Sequence, residues 1–285
     1  MKDNDMTMTT TMNTTALEQD TIKHAVRQRY GRVATNAASG CGCAPSCCGT
    51  DTAAGTATSD PAALAQRLGY STSDTAAAPD GSNLGLGCGN PLGLASLKPG
   101  QTVLDLGSGA GFDAFLAARA VGPTGRVIGV DMTPEMISKA RNHQAEGDYG
   151  HVEFRLGEIE SLPVADGTVD VILSNCVINL SPDKGRVFRE AFRVLKPGGR
   201  LAISDIVALA PIPEARRRDW ELYTGCVAGA AEVSEVKRLL AEAGFQNIRV
   251  EPKARSREVL QDWFPGQGLE NSVASATIEA VKSDQ

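Results

Sequence analysis

The distribution of apolar residues divides the chain, from about residue 61 onward, into short strand-like runs and longer segments with helical periodicity. Seven runs predict strands, and they begin at Thr102, Arg126, Val152, Val169, Arg200, Asn247 and Ala274. Apolar positions at three- and four-residue steps predict helices over residues 112–120, 134–146, 182–195 and 233–243. Strands that alternate with helices are typical of a parallel sheet with helices on both faces.

The last two predicted strands differ from the others because no clear helical pattern separates them. Two such strands are expected to pair antiparallel, since a parallel pair needs a long crossover connection. The predicted fold class is therefore α/β and Rossmann-like. It has a seven-stranded, mostly parallel sheet, helices on both faces and an antiparallel edge.

The amino-terminal part of the chain has a different composition. Residues 1–15 form a polar, low-complexity stretch that is expected to be disordered, and apolar spacing between Leu17 and Val33 predicts an amphipathic helix. From Ser39 to Asp60 the sequence is rich in Gly, small residues and thiols, which predicts a mobile loop. We therefore predict three segments: 1–60, a Rossmann-like core over 61–206, and a C-terminal part over 207–285 with the last two strands.

Charge and cysteine content narrow the function classes. The formal net charge of -6 argues against a nucleic-acid partner, which would require a basic surface. The sequence has neither an export-signal pattern nor an apolar run of membrane-spanning length, so a cytoplasmic protein without membrane contact is expected. The seven cysteines are then expected to be reduced at rest, which favours thiolate chemistry over a disulfide framework.

A glycine-rich turn, DLGSGAGFD, spans Asp105 to Asp113 directly after the first predicted strand. Its glycines allow a tight reversal into a helix whose N-terminus faces a ligand. Asp131 closes the second strand, where a carboxylate accepts the hydroxyls of an adenosine ribose. This spacing fits both NAD and S-adenosylmethionine. Phe112 occupies the sixth motif position, where dinucleotide folds want glycine, and Asp105 suits a cationic ligand better than a pyrophosphate.

Four stretches together resemble the class I S-adenosylmethionine methyltransferases: DLGSGAGFD, VIGVDMTPEM, GEIESLPVADGTVDVILSN and VLKPGGRLAISDI. The resemblance covers roughly residues 94–206 and implies the methyltransferase version of the Rossmann-like fold. It also implies nine cofactor-binding residues. These are Asp105, Gly107 and Gly109 along the methionine part, Ser108 in the same turn, Asp131 on the ribose, Met132 on the adenine, Glu158 and Ile159 at the base edge, and Asn175 near the reacting end.

The cysteines narrow the resemblance further. RYGRVA, the CC pair, LGCGNP, SNCVINL and GCVAGA are similar, in position and order, to motifs of the arsenite methyltransferases. The resemblance implies that thiolates of Cys88, Cys176 and Cys226 bind As(III), since soft thiolates select soft ions. It also implies a role for Cys47 or Cys48, of which Cys48 is preferred. The additional Cys41 and Cys43 depart from the family pattern.

Methyl transfer formally oxidises arsenic, so the resemblance also implies a source of two electrons. We predict that Cys48 forms a disulfide with Cys88 after transfer, and that thioredoxin or glutathione resets it by thiol exchange. The expected protein is thus a monomeric arsenite methyltransferase for arsenic detoxification. Its partners are arsenite and methylated trivalent arsenicals.

Other interpretations remain open at this point. Each cysteine alone could be a small buried apolar residue, and the four thiols between Cys41 and Cys48 could form a zinc site with irregular spacing. An S-adenosylmethionine-dependent C-methyltransferase of a quinone or sterol-like lipid would share the core motifs without needing the thiols. A non-catalytic, cysteine-rich metalloid or zinc binder with a vestigial cofactor pocket is a third possibility.

Overall fold

The computed structural model of the chain describes residues 16–35, 60–253, 256–263 and 268–284. A single mixed sheet of seven strands has the order β3-β2-β1-β4-β5-β7-β6. The strands are β1 Thr102–Leu106, β2 Arg126–Asp131, β3 Val152–Leu156, β4 Val169–Asn175, β5 Leu195–Ala208, β6 Gln246–Pro252 and β7 Val273–Val281. All seven predicted strands are therefore confirmed.

Five longer helices carry most of the packing against the sheet and the cleft. They are α1 Ala16–Thr35, α5 Phe112–Val121, α6 Pro134–Glu146, α7 Lys184–Val194 and α10 Val233–Glu242. Six shorter helices are α2 Pro61–Arg67, α3 Thr72–Ala77, α4 Leu92–Ala95, α8 Glu214–Arg217, α9 Trp220–Thr224 and α11 Ser256–Trp263. None of the described helices is long and apolar enough to cross a membrane.

Local sequence explains where several helices begin and end. Helix α2 starts after Asp60, whose side chain accepts a hydrogen bond from the backbone N–H of Ala62, with Pro61 in the first turn. Helix α10 is followed by Gly244, whose φ of +102° is the left-handed conformation predicted for this position. Helix α5 is preceded by Gly111, which is also left-handed with a φ of 97°. A β-carbon there would lie 2.6 Å from the Phe115 ring.

The strand pairing confirms the predicted division of the sheet. Strands β1 to β5 pair in parallel, and β7 pairs antiparallel with both β5 and β6. One connection differs from the prediction, because the short helix α11 lies between β6 and β7. Its buried Leu260 and partly buried Trp263 are one helical step apart, and so short a pattern is weak in sequence.

The strand order reverses between β1 and β4, which lie side by side although two strands separate them in sequence. Ligands of open α/β sheets bind at such a switch point, beyond the carboxyl ends of the strands. On one face of the sheet, small residues of α5 allow close packing. Ala114, Ala117 and Ala118 are almost fully buried there, beside Phe115. This packing fixes the N-terminus of α5 at the switch point.

Helix α1 crosses above this edge of the sheet and is tied to it at two places. Lys23 donates a hydrogen bond to Glu158 at 2.6 Å, and Arg27 donates to the same carboxylate at 2.9 Å. Farther along the helix, Arg29 donates to the Thr224 hydroxyl at 2.6 Å. Helix α1 therefore covers the switch point.

Candidate functional site

A cleft opens at the carboxyl ends of β1, β2 and β4. Its empty volume is about 1150 Å³ including the open mouth, and helix α1 contributes Lys23, Val26 and Tyr30 to its wall. Clefts of this size accommodate a nucleoside-sized ligand. The cleft therefore lies where the fold predicts a ligand.

The glycine-rich turn forms the floor of the cleft. Gly107 has a φ of 66° and Gly109 a φ of 51°, both in the left-handed region that favours glycine. A β-carbon on Gly107 would overlap the Val177 side chain. The backbone N–H of Gly109 donates to Asp131 Oδ2 at 3.0 Å, and the N–H of Thr133 donates to Asp131 Oδ1 at 2.8 Å. These bonds orient the Asp131 carboxylate beside the turn.

Three buried or half-buried carboxyl groups lie close together in the cleft. Burial, reinforced by the neighbouring Asp113 and Asp131, raises the pKa of Asp105 well above its usual range. Burial also raises the pKa of Asp113 to about 6 and that of Asp131 in the same direction. Asp105 Oδ2 and Ser108 Oγ are buried without a hydrogen-bond partner among the described residues. A cationic ligand with hydrogen-bond donors would satisfy them.

This donor set fits S-adenosylmethionine, which carries an ammonium group, a sulfonium and a ribose diol. The unpartnered Asp105 oxygen is placed for an ammonium, and Asp131 keeps acceptor capacity for hydroxyls. A pyrophosphate would instead face three acidic side chains. The site therefore favours the sulfonium cofactor over a dinucleotide.

A hydrogen-bonded network joins the cleft to Cys88, the first of the three cysteines predicted to bind arsenic. Asn175 donates to Tyr70 Oη at 3.0 Å and to Asp113 Oδ2 at 3.1 Å, and its own Oδ1 accepts from the backbone N–H of Cys88 at 3.0 Å. Tyr70 in turn donates to Asp113 at 2.5 Å. Because Asn175 ends β4, it fixes the Cys88 backbone beside the cofactor cleft.

Three cysteines from distant parts of the chain lie close together around Cys176, which lines the cleft. Cys88 and Cys176 are paired as a disulfide, with their Cα atoms 5.8 Å apart. The thiol of Cys226 donates to the backbone carbonyl of Cys176 at 2.8 Å. All three belong to one buried apolar cluster. The fold thus brings the sulfurs of Cys88 and Cys176 together and places the Cys226 thiol on the Cys176 backbone, an arrangement that no local spacing provides.

Two of these cysteines have unusual backbones. The φ angle is 57° at Cys176 and 65° at Cys226, in the left-handed region that non-glycine residues seldom adopt. Such conformations cost of order 1 kcal/mol or more each and cluster at functional sites. At both positions, therefore, the fold holds a sulfur in place against a local preference.

A buried carboxylate lies beside the sulfurs. An oxygen of Asp205 and the sulfurs of Cys88 and Cys176 all lie within 4.8 Å of one another. Asp205 accepts hydrogen bonds from the backbone N–H groups of Ile178 at 2.8 Å and Ile206 at 2.7 Å, and from Asn179 Nδ2 at 2.9 Å. These bonds oppose the effect of burial, which raises the pKa of Asp205 to about 6.

The electrostatic environment of Cys226 favours the protonated thiol in this state. Burial raises its pKa well above the ordinary value, and the Asp205 charge adds to this effect. Lys184, whose own pKa burial lowers to about 8, acts in the opposite direction on the Cys226 thiol. Thiolate formation at Cys226 therefore requires a bound thiophilic ion or a partner that accepts the proton.

Most of the predicted cofactor residues line the cleft. They are Asp105, Gly107, Ser108, Gly109, Asp131, Met132, Ile159 and Asn175. Glu158 instead forms ion pairs with Lys23 and Arg27 of α1, and Glu160 lines the cleft. Cys48, like Cys41, Cys43 and Cys47, lies outside the described residues.

Sequence reasoning missed several residues of the site. Asp205 and Asn179 bind each other beside the thiols, and Tyr70 and Asp113 bind Asn175. Asp205 had a recognisable signal, because it is the one charged side chain within the apolar run LAISDIVALA. A charge inside a buried strand requires a partner or a function.

The chain matches the methyltransferase domain family over residues 97–244. It is 51% identical over 272 residues to an arsenite methyltransferase of Halobacterium salinarum, covering 93% of this chain and 68% of that relative. It is 47% identical over 171 residues to the arsenite methyltransferase of Aquipseudomonas alcaligenes, covering 58% of this chain. The chain spans only 49% of the length of that second relative.

A solved structure is also similar. It is the crystal structure of an arsenic (III) S-adenosylmethionine methyltransferase from Chlamydomonas reinhardtii, with a TM-score of 0.57 and 33% sequence identity. The match covers 79% of this chain and 73% of the algal one. The similarity therefore extends well beyond the glycine-rich turn to most of the chain.

Proposed function

This chain belongs to the arsenite methyltransferase family, and from that premise we propose that it transfers methyl groups from S-adenosylmethionine to trivalent arsenic bound by cysteine thiolates. The observation that carries the proposal is the convergence of Cys88, Cys176 and Cys226, separated by 88 and 50 residues, beside the cofactor cleft. A methyltransferase that acts on a carbon atom of a lipid does not require three cysteines of this kind.

The three thiols define the acceptor chemistry. In the reduced protein they replace the hydroxyl groups of arsenous acid, and each new As–S bond releases one water. Arsenic bound by three sulfurs is pyramidal and keeps one lone pair. Because Cys176 lines the cofactor cleft and follows Asn175 directly, the bound arsenic lies next to the reacting end of that cleft.

S-Adenosylmethionine supplies an electrophilic methyl group when bound. The protein contributes orientation: Asp105 binds the ammonium, Asp131 the ribose, and the Asn175 network fixes the Cys88 backbone relative to both. It also excludes water, because the cysteines lie in an apolar cluster with Leu222 and Val227. Holding two reactants in line within a dry site contributes several kcal/mol to catalysis.

Arsenic must then return from the pentavalent to the trivalent state. We propose that two cysteine thiolates supply the two electrons and become a disulfide. The Cys88–Cys176 pairing supports these two residues as the pair, while the Cys48–Cys88 pairing stays a prediction. Thioredoxin or glutathione would restore the thiols by exchange. We also propose that the enzyme is a cytoplasmic monomer.

Serine replacement of the thiols tests the acceptor assignment. In Cys176→Ser and Cys226→Ser, we expect arsenite methylation to fall at least about 100-fold because a serine hydroxyl binds soft arsenic much more weakly than a thiolate does. Cofactor affinity should stay within about threefold in Cys226→Ser, because its side chain lies outside the cleft wall. Chromatographic separation of arsenic species and calorimetry of cofactor binding measure the two effects.

Wild-type protein and a Ser96→Ala variant, remote from the cleft, are the controls. Methylated arsenic formed at the wild-type rate by both cysteine variants would contradict the proposal. Absence of methylated arsenic from the wild-type reaction would instead favour the quinone or sterol-like lipid as acceptor.

Peptide mass mapping after a single turnover tests the reductive step. Reduced protein with bound arsenite and cofactor should contain one new disulfide per methyl group transferred, and its peptides identify the two cysteines. A Cys88–Cys176 peptide is expected if the arsenic ligands themselves are oxidised, and a Cys48–Cys88 peptide if Cys48 takes part. Trivalent product without any disulfide would exclude thiols of this chain as the reductant.

A further inference from the structure

We propose that the Asp205 carboxylate compensates the positive charge that arsenic gains during methyl transfer. This inference rests on the proposed function and assigns a role to a side chain that binds neither reactant in the scheme above. Asp205 is 1% exposed and lies on β5, beside the end of β4 that leads into Cys176. Its oxygen lies within 4.8 Å of the sulfurs of Cys88 and Cys176.

The electron balance of the transfer places a charge beside Asp205. The arsenic lone pair forms the As–C bond, and the carbon–sulfur bond of the donor breaks with its electron pair staying on sulfur. The positive charge therefore leaves the sulfonium and appears on arsenic, which was neutral when bound by three thiolates. In an apolar cluster such a cation is unfavourable unless an anion lies nearby.

The hydrogen bonds of Asp205 stabilise its ionised form against the effect of burial. Three N–H donors bind it, two on Oδ1 and one on Oδ2, and such bonds favour the ionised carboxylate. Oδ2 accepts only one of them and so keeps acceptor capacity. Because these donors are fixed by the backbone and by Asn179, the charge needs no rearrangement when arsenic becomes positive.

Other charged residues near the cleft include Lys184, Asp113 and Asp131, and none of these three replaces Asp205 beside the sulfurs. Lys184 faces it from α7, yet within the described ranges Asp205 makes no ion pair within 4.0 Å. The ammonium of Lys184 donates to the Ser181 carbonyl at 3.1 Å, and the charge of Asp205, more than that of Glu160, raises its pKa against the effect of burial. Asp113 and Asp131 belong to the cofactor side of the cleft, where a cationic ligand would offset them.

A purely structural role for Asp205 is the competing explanation. Its hydrogen bonds to Ile178 and Asn179 also fix the turn after Cys176. Loss of that anchor would displace the sulfurs and weaken arsenite binding together with turnover. Loss of the charge alone would slow transfer while arsenite, which binds as a neutral species, still binds.

The experiment compares reduced wild-type protein with Asp205→Asn in three measurements. Arsenite affinity is followed by tryptophan fluorescence, since Trp263 packs against the cysteine cluster. The local potential is measured without cofactor or arsenic. For this, Cys176 is labelled with 2-aminoethyl or n-propyl methanethiosulfonate, a cationic and a neutral reagent of equal length. Their rate ratio cancels differences in thiol ionisation and access. The third measurement is the single-turnover rate of methyl transfer.

In Asp205→Asn we expect an arsenite Kd within about threefold of wild type. The cationic-to-neutral rate ratio should fall about tenfold and the methyl-transfer rate about 100-fold. Asn179→Ala is the matched control, because it removes one hydrogen bond to Asp205, and those to the carbonyls of Ile206 and Cys226, but keeps the Asp205 charge. Its rate ratio should equal that of wild type. Asp205→Ser replaces Asp205→Asn if the latter does not fold.

An unchanged rate ratio, or an arsenite Kd that weakens as much as the transfer rate, would overturn the assignment to Asp205. Failure of the proposed function would give a different experimental result. In that case wild-type protein forms no methylated arsenic, whatever the labelling ratio at Cys176.

Discussion

At the scale of single residues, the site combines features that are individually unfavourable. Cys176 and Cys226 have left-handed backbones, and Asp105 and Asp205 are carboxylates almost fully removed from water. Each would destabilise an ordinary core. Their concentration around one cleft indicates that ligands, rather than folding, account for these side chains.

The raised pKa of Asp113 should make the stability of the protein depend on pH. This pKa is raised to about 6, mainly by burial, above a value of 3.8 for the ordinary group. The folded protein therefore holds this proton more tightly than the unfolded chain. Asp113 should therefore lower the free energy of unfolding as the pH rises from about 4 to about 6, by at most about 3 kcal/mol, and should add no further change above that range. Burial also raises the pKa values of Asp105, Asp131 and Asp205, so these carboxyls add changes of the same sign.

Denaturant titrations of the ligand-free protein at several pH values check this dependence. Asp113→Asn should reduce the fall between pH 4 and pH 6, whereas Asp148→Asn, a replacement at an exposed position, should leave the profile unchanged. A profile in Asp113→Asn identical to that of wild type would show that burial of this carboxyl does not govern the acid range.

At the scale of elements, helix α1 links both halves of the site. Lys23 pairs with Glu158 after β3, Val26 lines the cleft, and the Tyr30 hydroxyl donates to the carbonyl of Thr224, two residues before Cys226. The Cys-rich stretch that follows α1 in sequence is thereby attached to a helix already docked on both the cofactor and thiol sides.

The ion pairs of Glu158 should contribute to the docking of α1. They are partly exposed, so we expect Glu158→Gln to weaken docking by only about 1 kcal/mol. That corresponds to amide hydrogen exchange about fivefold faster in residues 16–35, measured by mass spectrometry. Glu153→Gln breaks the similar Arg126–Glu153 pair away from α1 and serves as control. Equal exchange of α1 in both variants would contradict this role.

At the scale of the whole molecule, the sheet order explains why the two reactants meet. Strands β1, β2 and β4 end at the same edge, so the glycine-rich turn, Asp131 and Asn175 surround one cleft. The loop with Cys88 and the segment with Cys226 then approach the same end of β4 from other parts of the chain. The sheet continues past the predicted segment boundary at residue 206, since β5 extends to Ala208 and pairs with β7.

Sequence by itself determined the elements and the cofactor turn. The apolar runs located all seven strands, since strand burial leaves a direct hydrophobic pattern, and the turn glycines are required by local backbone geometry. The thiol motifs predicted the acceptor through family resemblance. Helix α11 escaped this reasoning because its pattern is too short to distinguish from a loop.

Tertiary structure decided everything that depends on side chains meeting across the fold. It directed Glu158 to α1 rather than into the cleft wall, brought Cys226 to the carbonyl of Cys176, and placed Asp205 beside the sulfurs. Sequence spacing could not reveal these contacts, because they join residues that are far apart in the chain. Only the packing of β5 against β4 makes a buried aspartate a neighbour of the thiols.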